Sequence, residues 1–334
     1  MNRSSTPDPA GLRAEPDISV VIAAYNGAGT ILECLNSVEH ATAGYSREII
    51  VVESSGDDTA EIVRQRFPGV VLIRSAERLS AGAARNRGFL AARGRIVFVT
   101  DQDCVVPATW VKSLARYFQD PTVSAAGGSV GVWNHGNLSG FALYFLEFLT
   151  HFPTSGPSRR NSTFLIGCNS AYRADVLRVV AFPDQTLGED VLFSNELRKR
   201  GFNLVYDPAV EVRHQNREGW TEFFRYNCEM GSKAAAYHQV LRRWWVAPFL
   251  RMPAFAFLAP AVILPSIAVR LARARVSYFL RFLLLSPMCL LGNLGWAWSF
   301  RQRVLADRAS ESGFELVTAQ PDPLRSSGPI RRRA

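Results

Sequence analysis

The residues best placed to do chemistry are two aspartates one residue apart, Asp101 and Asp103, at the end of the run RIVFVTDQD. Side chains in an extended chain alternate faces, so both carboxylates project to the same side. Two carboxylates that close repel unless a cation lies between them, and hard oxygen donors without softer partners select Mg²⁺ or Mn²⁺. The spacing therefore predicts a divalent-metal site with most coordination positions open to a substrate diphosphate. A second acidic pair, Glu189 and Asp190, follows Gly188 and opens the helical pattern VLFSNELRKRG. Acids in a first helical turn complement the helix dipole, and that dipole is expected to keep Asp190 ionised and able to accept a proton. His214 ends the run AVEVRH, where it is a metal ligand, a phosphate contact or a structural histidine.

Further polar groups close the upstream apolar runs. ISVVIAAYN places Tyr25 and Asn26 in a turn, and EIIVVESSGDDT places Glu53 before a Ser/Gly/Asp loop. A carboxylate at such a strand end is suited to accept hydrogen bonds from a ribose or a base edge. Asp58-Thr59-Ala60-Glu61 fits a capping box. Gly27-Ala28-Gly29 begins like a dinucleotide fingerprint, but Leu32 stands where the third glycine is needed, and that reading fails. In SAGAARNRG, Ser80 reads as an N-cap, the small residues allow a helix to sit close to a sheet, and Arg85 and Asn86 fall on the second turn. An arginine there either pairs with phosphate or is simply solvated.

Positioning these groups requires a sheet whose strand ends converge. From Asp17, short apolar runs alternate with helical patterns: ISVVIAAY, a helix over about 29–40, EIIVVE, a helix over about 59–67, VVLIR, a helix over about 80–92, RIVFVT, and a helix over about 108–119. That alternation predicts a parallel sheet covered on both faces by helices, with ligands at the carboxyl ends of its strands. Beyond Ala125 the regularity fades. LSGFALYFLEFLTHF carries Phe141, Tyr144, Phe145, Phe148 and Phe152 along one helical face, as a core helix or an interfacial one. A strand, a helix, another strand and a helix over about 220–240 follow.

The 334 residues suffice for one large α/β domain with an appendage, and 48% hydrophobic residues exclude a disordered chain. The net charge of +9 is not spread evenly: residues 241–334 hold 14 Arg and 4 acidic residues. Interleaved with apolar stretches, this charge points to an anionic membrane surface and away from nucleic acid. Five scattered cysteines without a C-x-x-C pair read as buried thiols in a reducing compartment. Residues 1–16 form an expected disordered tail without the apolar core of a secretory signal, which leaves the globular part in the cytoplasm.

Residues 252–269 and 282–300 are free of charges and approach the roughly 20 residues that cross a bilayer. Trp244, Trp245, Trp296 and Trp298 flank them like interfacial aromatic belts. A membrane hairpin over 241–306 is expected, yet the connection carries Arg270, Arg273, Arg275 and Arg281, against the positive-inside tendency for a two-pass segment. Prolines 253, 260, 265 and 287 offer an escape by breaking the segments into re-entrant or in-plane helices. A basic disordered tail over 307–334 completes the expected division.

Taken in order, SVVIAAYNGAGTILECLNSV, EIIVVESSGDDTAEIV, SAGAARNRGFLAARGRIVFVTDQD, GCNSAYRADVL and GEDVLFSNELRKRG resemble a family 2 glycosyltransferase of GT-A fold over residues 17–240. The resemblance implies a Rossmann-like, mostly parallel α/β sheet with helices on both faces, to which the apolar runs add the C-terminal hydrophobic helical hairpin. It implies inverting, Mg²⁺- or Mn²⁺-dependent transfer from a nucleotide-diphosphate sugar. By position, Ala24, Tyr25, Glu53 and Asp57 resemble the nucleoside pocket, Arg85 and Asn86 border the diphosphate, Asp101 and Asp103 resemble the metal motif, and Asp190, with Glu189 beside it, resembles the catalytic base; His214 is added to the metal candidates from its strand-end position alone. Departures are Glu53 where the family usually has Asp, and a loop one residue short. Gln239 to Trp244 only approximates the Q-x-x-R-W element of processive synthases, which favours single-sugar transfer. A membrane-attached domain implies a lipid-linked or glycan acceptor at the cytoplasmic face of the cell membrane. A nucleotidyltransferase would need a basic loop after the first strand, which AAYNGAG lacks, and a non-catalytic scaffold would be expected to have lost these carboxylates.

Overall fold

The computed structural model describes residues 16–154, 156, 158–184, 188–241 and 247–318. The expectations for residues 1–15, for the Arg242-Arg243-Trp244-Trp245 segment and for the tail from 319 lie outside the described residues.

The first half follows the predicted alternation: β1 (Ile18–Ala24), α1 (Ile31–Ala41), β2 (Arg47–Glu53), α2 (Thr59–Arg66), β3 (Val71–Arg74), α3 (Ala81–Ala91) and β4 (Ile96–Asp101). The strands read as unbroken apolar runs because both faces are covered. On one face Val20, Ile22, Val51 and Phe98 pack with Ile31, Leu35 and Val38 of α1. On the other, Val21, Ile50, Val52 and Val97 pack with Ala84 of α3. Gly88 makes that second layer possible, since a Cβ there would lie 2.3 Å from Val21 Cγ1. Ser80 caps α3 as expected, accepting from the Ala83 amide at 3.1 Å.

The second half comprises β5 (Cys104–Val105), α4 (Trp110–Ala115) with a 3₁₀ turn at Arg116–Gln119, β6 (Val123–Val132), α5 (Leu138–Glu147), β7 (Arg159–Arg160), β8 (Ser170–Arg173), α6 (Ala174–Val179), α7 (Glu189–Lys199) and β9 (Asn203–His214). Strand order is β3-β2-β1-β4-β8-β6-β9-β5, with β7 also on β9. The sheet is parallel from β3 to β4, as the alternation predicts, and mixed beyond: β8 runs antiparallel to both β4 and β6, while β6 and β9 are parallel. Register fixes the site. Ala24 pairs with Glu53 and Ala23 with Asp101, so the carboxyl ends of β1, β2 and β4 finish level.

Helix α8 (Trp220–Leu241) leaves this domain, followed by α9 (Ala247–Arg251), a 3₁₀ segment at Pro253–Leu258, α10 (Pro260–Ala274) and α11 (Val276–Thr318). Of the four prolines expected to break these segments, Pro253 and Pro260 do begin elements, whereas Pro265 and Pro287 lie inside α10 and α11. Helix α11 also continues past 307, where the tail was expected to start. Two stretches, Pro253–Ala274 and Val276–Ser310, are long and apolar enough to cross a membrane.

Candidate active site

Arg85 organises the cleft. Set on the second turn of α3, it is 2% exposed and donates to Asp101 at 2.9 and 3.2 Å and to Glu189 Oε1 at 2.8 Å. One guanidinium thus joins the end of β4 to the start of α7, and it brings the D-x-D and E-D motifs into one cleft. The alternative of a solvated surface arginine is excluded by its burial. Burial alone would lower the Arg85 pKa, but the two carboxylates outweigh it and hold the group charged.

The two aspartates of the D-x-D motif face different basic side chains. Asp101 faces Arg85, while Asp103 Oδ2 lies 3.5 Å from His214 Nε2. Burial raises the Asp101 pKa, with Asp103 adding and Arg85 opposing. Burial also acts upward on Asp103, but the neighbouring His214 wins and lowers it. His214 moves the opposite way: burial would depress it, yet Asp103 pushes it up to about 10. The strand pair β5–β9 enforces this contact, because Cys104 sits opposite His214 and the Gln215 amide donates to Asp103 O at 2.8 Å.

Asp103, Cys104 and His214 offer donor atoms within 4.8 Å of one another, a group able to hold a metal ion. The Cys104 thiol is pushed well above its usual range by burial and stays protonated, so a hard cation would find the Asp103 carboxylate, with Asp101 close by, and would gain the His214 imidazole on displacing its proton. The residues therefore fit Mn²⁺ or Mg²⁺.

Asp190 is held by its own helix and by the GCNSAYR segment: its carboxylate accepts from Val191 N at 2.8 Å and from Gly167 N at 3.4 Å. The expectation that the helix dipole keeps it readily ionised is reversed in direction. Burial, reinforced by the charge of Glu189, raises its pKa to about 7 against the pull of Arg85. Glu189 itself is occupied as the partner of Arg85.

The carboxylates at the end of β2 and in the loop after it are engaged internally. Glu53 is fully buried, accepts from the Ser55 amide and hydroxyl, and pairs with Arg74 Nε at 3.1 Å. Asp57 accepts from Ala28 N at 3.1 Å, Thr59 N at 3.2 Å and Thr59 Oγ1 at 2.6 Å, tying the two loops together. Burial would raise its pKa, but those hydrogen bonds prevail and lower it. The capping box expected at Asp58 does not form: Asp58 makes no side-chain cap bond, and Asp57 does that work from one residue earlier. Tyr25 lies under Arg78, whose guanidinium carbon is 4.3 Å from the ring centroid. Asn86 is engaged at both ends of its side chain. Its amide donates to Phe182 O at 2.8 Å and accepts from Phe182 N at 2.9 Å, so both ends pin the loop before α7.

Two residues near the site escaped the sequence reading. Glu147, the last residue of α5, is half-buried, and desolvation raises its pKa against the opposing charge of His214. It accepts from Tyr226 Oη at 2.6 Å, and the adjoining Phe148 ring meets His214 edge-on at 5.1 Å. A single acid within the apolar run LSGFALYFLEFLTHF was the available signal. Arg78 stands in a loop without periodicity and offered none.

The sequence profile described as "Glycosyl transferase family 2" matches residues 19–180. The chain is 29% identical over 209 residues to the glycosyltransferase AglE of Haloferax volcanii, covering 60% of this chain and 68% of that one. It is 34% identical over 129 residues to the succinoglycan biosynthesis protein ExoO of Rhizobium meliloti, covering 38% and 35% respectively. To the O-antigen chain rhamnosyltransferase RfbN of Salmonella typhimurium it is 22% identical over 63% of this chain and 70% of that one. Among solved structures, a mannosyltransferase from Pyrobaculum calidifontis in complex with GDP-Man and Mn²⁺ aligns with 89% of this chain and 87% of its own, at a TM-score of 0.52 and 21% identity. The likeness extends to the fold, a GT-A sheet with helices on both faces.

Proposed function

The chain belongs to glycosyl transferase family 2, and on that premise we propose that it transfers a single sugar, with inversion, from a nucleotide-diphosphate sugar to a lipid-linked or glycan acceptor at the cytoplasmic face of the cell membrane. The observation that carries this reading is the Arg85 bridge between Asp101 and Glu189, which sets Asp190 across one cleft from the D-x-D carboxylates. The relatives named for succinoglycan and O-antigen chains support a role in assembling a polysaccharide or glycolipid.

Ala24, Tyr25, Glu53 and Asp57 line the level strand ends where the nucleoside lies. Asp103 and His214 would hold the divalent cation, with Asp101 beside it, and the cation would supply positive charge against the negative charge developing on the departing diphosphate. Asp190 receives the proton of the acceptor hydroxyl as its oxygen attacks C1 from the face opposite the leaving group, so the configuration inverts. A carboxylate titrating near 7 suits this task, since a base is most effective when its pKa lies near the working pH. Glu189 and Arg85 position Asp190 without touching the acceptor, and Asn86 fixes the loop that precedes it.

Titration calorimetry with UDP-, GDP- and dTDP-sugars, each with and without Mn²⁺, tests the proposal. One donor is expected to bind only with the metal, and Asp103→Asn to lose that binding. Normal metal-dependent affinity in the variant would remove the assigned metal site.

A further inference from the structure

We propose that α10 and α11 lie in the plane of one leaflet of an anionic bilayer, as a seat beneath the catalytic domain, and do not cross the membrane. The proposal goes beyond the transfer reaction and stands on the packing of α11. From Tyr278 through Phe282, Cys289 and Ala297 to Val304, one stripe of α11 is at most 5% exposed. At 1.5 Å per residue that stripe is about 39 Å long. What covers it is the catalytic domain and its exit helix. Tyr278 meets Phe141 at 5.4 Å, Phe282 meets Phe145 at 5.4 Å, and Cys289 Sγ lies 3.8 Å from Ala142 O. Farther along, Gly231 of α8 approaches so closely that a Cβ there would lie 2.0 Å from Trp296 O.

That packing settles what would accompany α11 into a bilayer. Helix α8 carries Arg225, Glu229 and Lys233, linked in ion pairs, at the level where its Cys228 and Gly231 meet Gly295 and Trp296. A crossing at residues 282–300 would draw these charges and α5 into hydrocarbon, where each charge is strongly disfavoured. The opposite face of the hairpin has no such cover. Val262, Val276, Leu280, Leu284 and Trp298 are 50–75% exposed (72%, 66%, 59%, 70% and 54%). An apolar face that is covered by protein on one side and bare on the other fits immersion along a leaflet.

The basic connection also ceases to be anomalous. Arg275 pairs with Glu211, and Arg281 donates to His135 O at 2.8 Å, so the turn between α10 and α11 stays on the domain side and never has to be translocated. Arg270 and Arg273 are exposed and have no carboxylate partner among the described residues. They line a cavity of about 770 Å³ together with Leu149, Phe152, Pro265 and Val269. Guanidinium groups beside an apolar wall match the phosphate and acyl chain of an anionic phospholipid.

Two measurements on the full chain test the seat independently of catalysis. In sealed membrane vesicles of either orientation, Glu61→Cys, Ser277→Cys and Ser310→Cys are each probed with an impermeant maleimide, the unsubstituted chain giving the background. All three are expected to react from one and the same face. Reaction of Ser277→Cys only from the face opposite Glu61→Cys would overturn the proposal in favour of a two-pass hairpin, and the same result for Ser310→Cys would overturn it in favour of a single crossing by α11. For purified protein on vesicles, R270Q/R273Q is expected to weaken binding to phosphatidylglycerol-containing bilayers about 30-fold, two charges at the usual surface contribution, and to leave binding to phosphatidylcholine vesicles unchanged. Equal loss on both would overturn the headgroup contact.

Discussion

Two groups of carboxylates around the site occupy opposite circumstances. At the end of β2 and in the loop after it, Glu53 and Asp57 spend their oxygens on neighbouring amides, hydroxyls and Arg74, so this group is rigid before any ligand arrives. Elsewhere around the site, burial raises Asp190 at the start of α7 and Glu147 beside His214. Burial acts upward on Asp57 as on Asp190; what differs is how many donors were provided to offset it. A carboxylate given many donors organises a loop, and one given few is left ready to take a proton. The contrast predicts that substitutions in the first group change stability, whereas those in the second change rate.

The largest expected effect is on rate. Asp190→Asn should leave donor affinity nearly intact while transfer falls by about two to four orders of magnitude, the usual share of general-base catalysis. In the unsubstituted enzyme the rate should fall as pH drops through about 7, where Asp190 takes up its proton, and the variant should lack that limb. Stability should respond in the reverse sense. The folded pKa lies above the ordinary value of 3.8, so the native state binds the proton more tightly than the unfolded chain and loses stability as pH rises from there to about 7. At pH 8, Asp190→Asn should therefore melt no lower than the parent. A lower melting temperature together with unaltered turnover would place Asp190 on the organising side.

Next in size is Arg85→Met. The guanidinium offsets Asp101 and Glu189, whose side chains are 25% and 12% exposed, and its loss leaves two largely desolvated carboxylates facing each other. Removing one partner of such a network costs about 3–5 kcal/mol, and the partial exposure of Asp101 places this case at the lower end. Thermal unfolding of the full chain reads this cost, and Arg85→Met with Asp101→Asn should recover part of it. An unchanged melting temperature would mean that the two motifs are held together by something other than this bridge.

How far the sequence reveals this arrangement depends on the range of the interactions involved. The first four strands and their helices are legible, because both-face burial writes continuous apolar runs and Ser80 and Gly88 mark local needs of α3. The antiparallel insertion of β8 is not, since the order of strands beyond β4 depends on the excursion through α5. The same holds within the site. Residue types and strand-end positions identify Asp101, Asp103 and Asp190, but which cation each faces is decided by contacts across long sequence separations, such as Arg85 with Glu189 and Asp103 with His214. The depth of burial that reverses the expectation for Asp190 is likewise a property of packing, with no local pattern to announce it.

The smallest expected effect is the sharpest test of the organising group, because it sets two adjacent aspartates against each other. Asp57 accepts three hydrogen bonds that join the loop after β1 to the start of α2, and Asp58, in the position that a capping box assigns to the cap, makes none of that kind. Asp57→Ala should cost about 1–2 kcal/mol, the usual loss for a helix cap. Asp58→Ala should stay within about 0.5 kcal/mol, as a surface substitution does. Donor affinity should follow the same order, since only the first change loosens the loop that carries Tyr25. Equal losses at both positions would show that charge near the α2 terminus matters more than the bonds, and the distinction between a group fixed by donors and one left poised would then rest on Asp190 alone.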